Sequence, residues 1–402
     1  MLDFDAAQAR LAARGRAPAR HETLTLDALA GRVLAEDIVA TLDLPPNDNS
    51  AMDGYALRAA DATAPGTPLP VQQRCFAGQV PDPLLPGQAI RLFTGSVIPP
   101  GADAVVMQED CREEDGTVAI LTPPSSGQYI RRRGEDMHAG QTVLARGTRL
   151  GAGHLAVLAA QGYDRAAVYP QLKVGILTTG DELVAPGQPL PPAAIYNSNA
   201  PMLASLCLGL GTAAPLLRHV RDDAEATRQA LAELNERCDL VLSVGGASVG
   251  EKDLVIPAIE ALGGTLDLWR VRMKPGKPVA LAELDGRPLV CLPGNPVSSF
   301  VVFTLLVSPL IRGLQGRHDV LPPVQRGVLE TLGPVGGDRD DFLRIQATPV
   351  AAGLPRLAPH AQQSSGALSS LAWAHGLARV PAGQRLLSGA EVDWMALSDW
   401  LS

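Results

Sequence analysis

The sequence predicts a multidomain protein of the α/β plus β class, with a parallel-sheet α/β domain, two smaller β domains and a linking segment. Three observations lead there. The chain has 402 residues, and at roughly 100–200 residues per domain that length implies two to four domains. Between Leu172 and Leu321 short β-rich runs alternate with helical ones, the pattern of a parallel sheet with crossover helices. Glycine (40) and proline (34) are frequent, and outside that block they punctuate short alternating strands with no long helical period.

In chain order, residues 40–140 carry PLPVQQRCFAG, PGQAIRLFTGS, GADAVVMQED and GTVAILTPP, alternating runs ended by turns that predict the first β domain. The flanking segments 21–39 and 141–171 are each too short for a core of their own and are expected to pack together. Lys173–Thr179 reads as a buried strand, Asn199–Leu210 as a helix, and Leu216–Val220 as a strand leading into a helix over Asp222–Arg237. Leu240–Val244 is the next buried strand, followed by helix Asp253–Leu262, strands near Leu266–Val271 and Leu289–Leu292, and helix Val297–Gly313. After Pro323, the runs RGVLETLG, FLRIQATPV, LPRLAPH and GLARVPAG predict the second β domain.

Composition excludes several function classes. Hydrophobic residues make up 46% and charged residues 19%, which is enough apolar surface for a folded core. A net charge of −8 opposes charge-driven binding to nucleic acid or to anionic lipid. The five cysteines, Cys75, Cys111, Cys207, Cys238 and Cys291, contain no C-x-x-C pair, so zinc ribbons and disulfide scaffolds are ruled out. The N-terminal residues lack an apolar signal region, and the longest apolar run, Val297–Ile311, is 15 residues, short of a membrane span. A cytoplasmic protein is expected. The seven histidines show no metalloprotease spacing.

Several strand ends carry chemistry. Ser243-Val-Gly-Gly-Ala-Ser-Val-Gly250, after a buried strand and before a helix, can turn backbone N–H groups onto a phosphate; an unliganded glycine turn is the alternative. Thr178-Thr-Gly-Asp-Glu182 puts carboxylates at the carboxyl edge of the sheet, where Asp253 and Asp222 can also arrive, a donor set suited to Mg²⁺ shared with a phosphate. Asp222-x-x-Glu225 also fits a helix-capping box, and the residues alone favour that cap. Met273-Lys-Pro-Gly-Lys-Pro278 holds two cations on a proline-stiffened loop, to be set against solvated surface lysines. Leu292-Pro-Gly-Asn-Pro-Val-Ser298 is a strand-to-helix turn. In the first β domain, Arg131-Arg-Arg-Gly-Glu-Asp136 clusters guanidinium groups beside carboxylates, and Asn47–Tyr55 is a polar loop.

The ordered set DNSAMDGYALR, FTGSVIPPGADAVVMQE, RRRGEDM, TTGDEL, SVGGASVGEKD, KPGKP and LPGNPVSS, spread over residues 48–299, resembles the molybdopterin molybdenumtransferase family, which includes MoeA and the gephyrin E domain. The resemblance covers nearly the whole chain. It implies four domains: an α/β molybdopterin-binding domain over 1–20 and 172–321, a linking domain over 21–39 and 141–171, a mobile β domain over 40–140, and a C-terminal β barrel over 322–402. It also implies a homodimer with a composite active site. The implied reaction inserts molybdate into adenylylated molybdopterin, with Mg²⁺-dependent release of AMP. Implied partners are these small molecules, a molybdopterin adenylyltransferase and molybdoenzyme chaperones.

Carried over on the matching motifs, the implied catalytic residues are Asp53, Thr94, Arg131, Asp136, Glu182, Lys274 and Lys277. Pterin and phosphate contacts fall on Ser243, Gly245, Gly246, Ser248, Gly250, Pro293, Pro296, Ser298, Arg344 and Ser365, and metal contacts on Glu182, Asp222 and Asp253. The nest reads GGASVG where the family leads one to expect GGVSVG, and alanine keeps the same N–H. The C-terminal match leaves Ser364 as an alternative to Ser365. Rival readings are the adenylylating paralogue, which would not need residues 21–171 or 322–402, a tungstate-specific relative, and a non-catalytic dimeric scaffold.

Overall fold

The computed structural model describes residues 1–245 and 254–402, arranged as two compact units. One unit comprises residues 37–145 and 153–164; the other comprises 1–36, 146–152 and 165–402.

The first unit is built on six strands: β1 (Gly54–Leu57), β2 (Thr67–Cys75), β3 (Ala89–Leu92), β4 (Ala104–Met107), β5 (Cys111–Glu114) and β6 (Thr117–Ile120), in sheet order β4-β1-β3-β2-β6-β5. Because successive side chains on a strand point to opposite faces, Tyr55 and Leu57 enter one buried cluster with Val106 and Val118, while Ala56 enters a second with Ile90 and Val105. Both faces of β1 are therefore covered, which explains why all four of its residues are buried.

In the second unit, Glu22–Thr25 pairs antiparallel with Arg165–Val168, and Val33 and Leu34 bridge to Arg149 and Val168. The α/β part contains β7 (Val174–Thr179), β8 (Leu216–Val220), β9 (Leu240–Val244), β10 (Thr265–Trp269), β11 (Met273–Lys274), β12 (Ala280–Leu284) and β13 (Arg287–Leu292). The sheet order is β8-β7-β9-β13-β12-β10; the first four strands are parallel, β12 pairs antiparallel with β13, and β10 pairs antiparallel with β12. The expected parallel sheet is present and continues into an antiparallel edge. Its antiparallel edge follows from a tight hairpin at Asp285-Gly286, where both residues take positive φ (51° and 75°), the conformation that lets a two-residue loop match the twist of its strands.

Five helices complete the layers: α1 (Phe4–Arg14), α2 (Asn199–Gly209), α3 (Ala224–Arg237), α4 (Val255–Ala261) and α5, an α–π–α run over Pro296–Leu314. The start of α3 corrects the capping expectation. The cap is Asp223, whose Oδ1 accepts from Ala226 N–H at 2.6 Å, and Glu225 pairs with Arg228 instead of closing a box onto Asp222. Asp222 is left outside the helix, its N–H donating to Asp181 Oδ1 at 3.3 Å.

Helix α5 also departs from expectation. It spans 19 residues, long and apolar enough to cross a membrane, with a mean hydropathy of 1.8 over an 18-residue stretch, yet 94% of that stretch is buried inside the protein, so it is the core helix of this fold. The turn Phe303–Val307 widens to π geometry just before Pro309, whose ring would otherwise clash with the preceding turn. Thr304 and Ser308 hydroxyls donate to Phe300 O (2.9 Å) and Thr304 O (2.6 Å), satisfying carbonyls in a stretch with no access to water.

The C-terminal strands β14 (Gln325–Leu329), β15 (Asp340–Thr348), β16 (Arg356–Pro359), β17 (Gly376–Val380) and β18 (Glu391–Ala396) pair in the order β15-β16-β14-β18-β17, and β17 returns to β15 to close a barrel. Strand β11 of the α/β part adds in parallel to the start of β15. The barrel residues Phe342, Leu377, Met395 and Trp400 belong to the same buried cluster as Val174, Leu292 and Phe303.

Candidate functional site

Parallel strands fed by right-handed crossovers leave a crevice beyond their carboxyl ends. Here β7, β9 and β13 end around a cavity of about 350 Å³ lined by Thr179, Glu182, Asn199, Gly245, Gly294 and Asn295. A second cavity, about 300 Å³, lies at the antiparallel edge, where Arg14 is paired with Asp267 and Glu283.

Local chemistry fixes the walls of the strand-end cavity. Gly245 has φ +90°, and a Cβ there would come within 2.8 Å of Thr179 Oγ1, so glycine allows β9 to turn against β7. Asn197 Nδ2 donates to buried Thr178 Oγ1 at 2.9 Å while its Oδ1 accepts from Ala200 N–H at 3.2 Å, securing the start of α2. Asn199 Nδ2 donates to Gly294 O at 2.7 Å and ties α2 to the Pro293–Pro296 turn. Ser299 Oγ donates to Pro293 O, and Pro296 opens α5. Ser298 is buried, as is Ser243, whose hydroxyl has no partner among the described residues.

Glu182 and Asp222 follow β7 and β8, adjacent strands of the sheet, with Asp181 linking them through the Asp222 N–H. Among the described residues no group of three or more His, Cys, Asp or Glu side chains is arranged to hold a metal. Gly246, Ser248, Gly250 and Asp253, singled out in the sequence, lie outside the described residues.

The two lysines of KPGKP differ. Lys274 Nζ donates to Asp341 Oδ2 at 2.8 Å, with the Asp341 side chain only 5% exposed. Lys277 is exposed, and its ammonium makes no hydrogen bond or ion pair with any described residue. Between them Gly276 has φ +110°, and a Cβ there would clash with Val302 of α5, so the loop lies flat on the core helix.

The barrel supplies two further residues. Asn295 Nδ2 donates to Ser365 Oγ at 3.3 Å, whereas Ser364 offers only its carbonyl, to Arg344. Arg344 is fully buried. Its guanidinium donates to Ser370 Oγ (3.2 Å), Gln362 O (3.3 Å) and Ser364 O (3.1 Å), and burial pushes its pKa below the usual arginine value. Arg344 therefore shapes the loop that carries Ser365 and does not itself line the cavity.

In the other unit, Asp53 Oδ1 accepts from both the N–H and the hydroxyl of Thr94, each at 2.7 Å, and these donors hold its carboxyl below the usual aspartate range. Arg91, wedged between the rings of Tyr55 and Phe93, adds positive charge nearby. Arg131 pairs through its backbone with Asn49; its guanidinium is exposed and makes no hydrogen bond or ion pair with a described residue. Its neighbours are occupied, Arg132 with Asp48 (2.7 Å) and Arg133 with Asp43 (2.6 Å). Asp136 is exposed, anchored by its N–H to Leu44 O.

Sequence reasoning missed Asn197 and Asn199. Two asparagines placed just ahead of an apolar helical run were the available signal, since buried amides at a helix start must be bonding something.

A cavity beyond the parallel strands, lined by Glu182 and bonded at Asn295 to the barrel's Ser365, places the chain among α/β proteins with a ligand crevice at the carboxyl edge of the sheet. The family can be named from three matched regions: "MoeA N-terminal region (domain I and II)" over residues 2–162, "Probable molybdopterin binding domain" over 175–313, and "MoeA C-terminal region (domain IV)" over 333–397. The chain belongs to the MoeA family. It is 39% identical over 334 residues to the molybdopterin molybdenumtransferase of Haemophilus influenzae, covering 83% of this chain and 82% of that protein. Against the molybdopterin molybdenumtransferase of Staphylococcus aureus it is 34% identical over 377 residues, covering 92% and 90%. The crystal structure of the molybdopterin biosynthesis MoeA protein from Pyrococcus horikoshii OT3 superposes with a TM-score of 0.83 at 30% identity, covering 98% of this chain and all of that one.

Proposed function

We propose that this chain is a molybdopterin molybdenumtransferase that inserts molybdate into the dithiolene of adenylylated molybdopterin and, with Mg²⁺, releases AMP. The observation that carries the reading is the cavity at the ends of β7, β9 and β13, with the barrel's Ser365 bonded to its wall at Asn295. Gly245, at φ +90°, opens the glycine-rich run whose sequence suits a phosphate. Lys277, with no partner among the described residues, can give charge-assisted hydrogen bonds to the tetrahedral oxyanion. Glu182 and Asp222 are hard oxygen donors of the kind Mg²⁺ takes, and Asp253 completes the proposed set. Bound there, Mg²⁺ supplies charge neutralisation at the adenylyl–phosphate link. The protein acts in the cytoplasm.

The deciding experiment incubates purified protein with adenylylated molybdopterin, Mg²⁺ and molybdate. Release of AMP together with cofactor that activates an apo-molybdoenzyme is expected; tungstate in place of molybdate tests the tungsten-specific reading. Binding of the adenylylated pterin without AMP release would leave a non-catalytic scaffold and overturn the proposal.

The residues named fall in two units, and we propose that a homodimer combines the Asp53 cluster of one protomer with the strand-end cavity of its partner. If so, mixing inactive Asp53→Ala and Glu182→Ala proteins under subunit exchange should restore about a quarter of sites, because half the dimers are mixed and each mixed dimer has one unmutated site. No recovery with exchange verified would refute the shared site.

A further inference from the structure

Strand β11 joins the α/β part to the barrel bond by bond. Met273 and Lys274 pair with Asp340 and Asp341. Asp340 N–H donates to Arg272 O at 3.2 Å, and Arg339 Nη1 donates to Met273 O at 3.1 Å. Side chains repeat the connection in the 2.8 Å pair between Lys274 Nζ and Asp341 Oδ2. The two ends of this pair are unlike: the Asp341 side chain is 5% exposed and that of Lys274 is 48% exposed. A carboxylate so enclosed needs a counter-charge, since leaving it alone would cost its full desolvation penalty. The ammonium of Lys274 is therefore committed to Asp341. On its other flank the loop is pressed against α5 at Gly276, which leaves Lys277 as the cation it presents outward.

We propose that Asp341 is a positioning residue for anion binding: by holding Lys274 it fixes the loop that presents Lys277, so that the barrel sets the affinity of the α/β site for its oxyanion. The inference rests on reading KPGKP as the anion loop. It divides the labour within that motif, giving Lys277 the contact with the anion and Lys274 a role exerted through Asp341.

The test uses the full chain carrying Asp341→Asn, Lys274→Gln or both, with turnover measured against molybdate concentration and molybdate binding measured directly by calorimetry. Each single variant should raise the KM and Kd for molybdate roughly fivefold while kcat and affinity for the adenylylated pterin hold. The double variant should be no worse than the poorer single one, because both remove the same link. Asp341→Glu, which keeps the charge, should recover part of the loss. Thermal melts accompany each variant. Lys274→Gln changes a half-exposed side chain, so it decides the matter even if Asp341→Asn weakens the barrel. Unchanged molybdate dependence in Lys274→Gln, or additive losses in the double variant, would overturn the proposal. Failure of the functional reading has a different signature, wild-type protein that releases no AMP, and the calorimetric comparison still decides the role of Asp341 in that event.

Discussion

Lys277→Ala should leave a folded protein that binds adenylylated molybdopterin normally but needs far more molybdate for the same turnover. Lys277 makes no ion pair or hydrogen bond with any described residue, so its removal breaks nothing inside the fold. What is lost is a charge-assisted hydrogen bond to the anion, worth on the order of 1.5–3 kcal/mol, or about tenfold or more in affinity. Molybdate in excess should rescue the variant. Turnover against molybdate concentration, with a thermal melt as a folding control, checks this. A wild-type molybdate dependence with reduced maximal turnover would remove Lys277 from the ground-state anion site.

Arg344→Ala should behave differently, although the family resemblance groups the two residues. The Arg344 side chain is fully buried and bonds the carbonyls of Gln362 and Ser364. Its loss strips both acceptors of a donor and leaves a cavity, for a destabilisation on the order of 3 kcal/mol. Three of the four tryptophans, Trp373, Trp394 and Trp400, lie in or beside the barrel strands, so their fluorescence in a denaturant titration reports on this region. The expected result is a lowered midpoint that molybdate does not restore. An unchanged midpoint with a raised molybdate requirement would make Arg344 a direct ligand.

Some of this was written plainly along the chain. Leu216–Val220 and Leu240–Val244 form strands at the residues read from the sequence: the second is a mostly apolar run buried throughout, and the first, with Arg218 and His219, is an edge strand of alternating exposure. Ala280–Leu284 was not read as a strand: Ala-Leu-Ala-Glu-Leu favours helix by local propensity, and only pairing with β10 and β13 makes it extended. The Asp285-Gly286 hairpin signal was there to be used. Which arginine of RRRGEDM has no side-chain partner among the described residues was not legible, since Asp48 and Asp43, which engage Arg132 and Arg133, come from 84 and 90 residues earlier. The burial of Arg344 was likewise hidden. Strands β16 and β17 take only the two edges of β15, and it is the segment carrying Gln362, Ser364 and Ser370 that folds over an arginine which the sequence shows only between Leu343 and Ile345.

The buried cluster that runs from Val174 and Phe303 into Phe342, Leu377, Met395 and Trp400 bears on how such a protein can be inherited. A domain that meets its neighbour through a wet, polar surface can be shuffled between genes with little repair. This barrel has no such seam. Any recombination that trims the chain after residue 321 bares one side of α5, and any that transplants the barrel alone bares the matching side of β15 and β17. In this chain the α/β part and the barrel therefore share one core, and substitutions at Phe342 or Trp400 are constrained by partners that the order of the chain places far away.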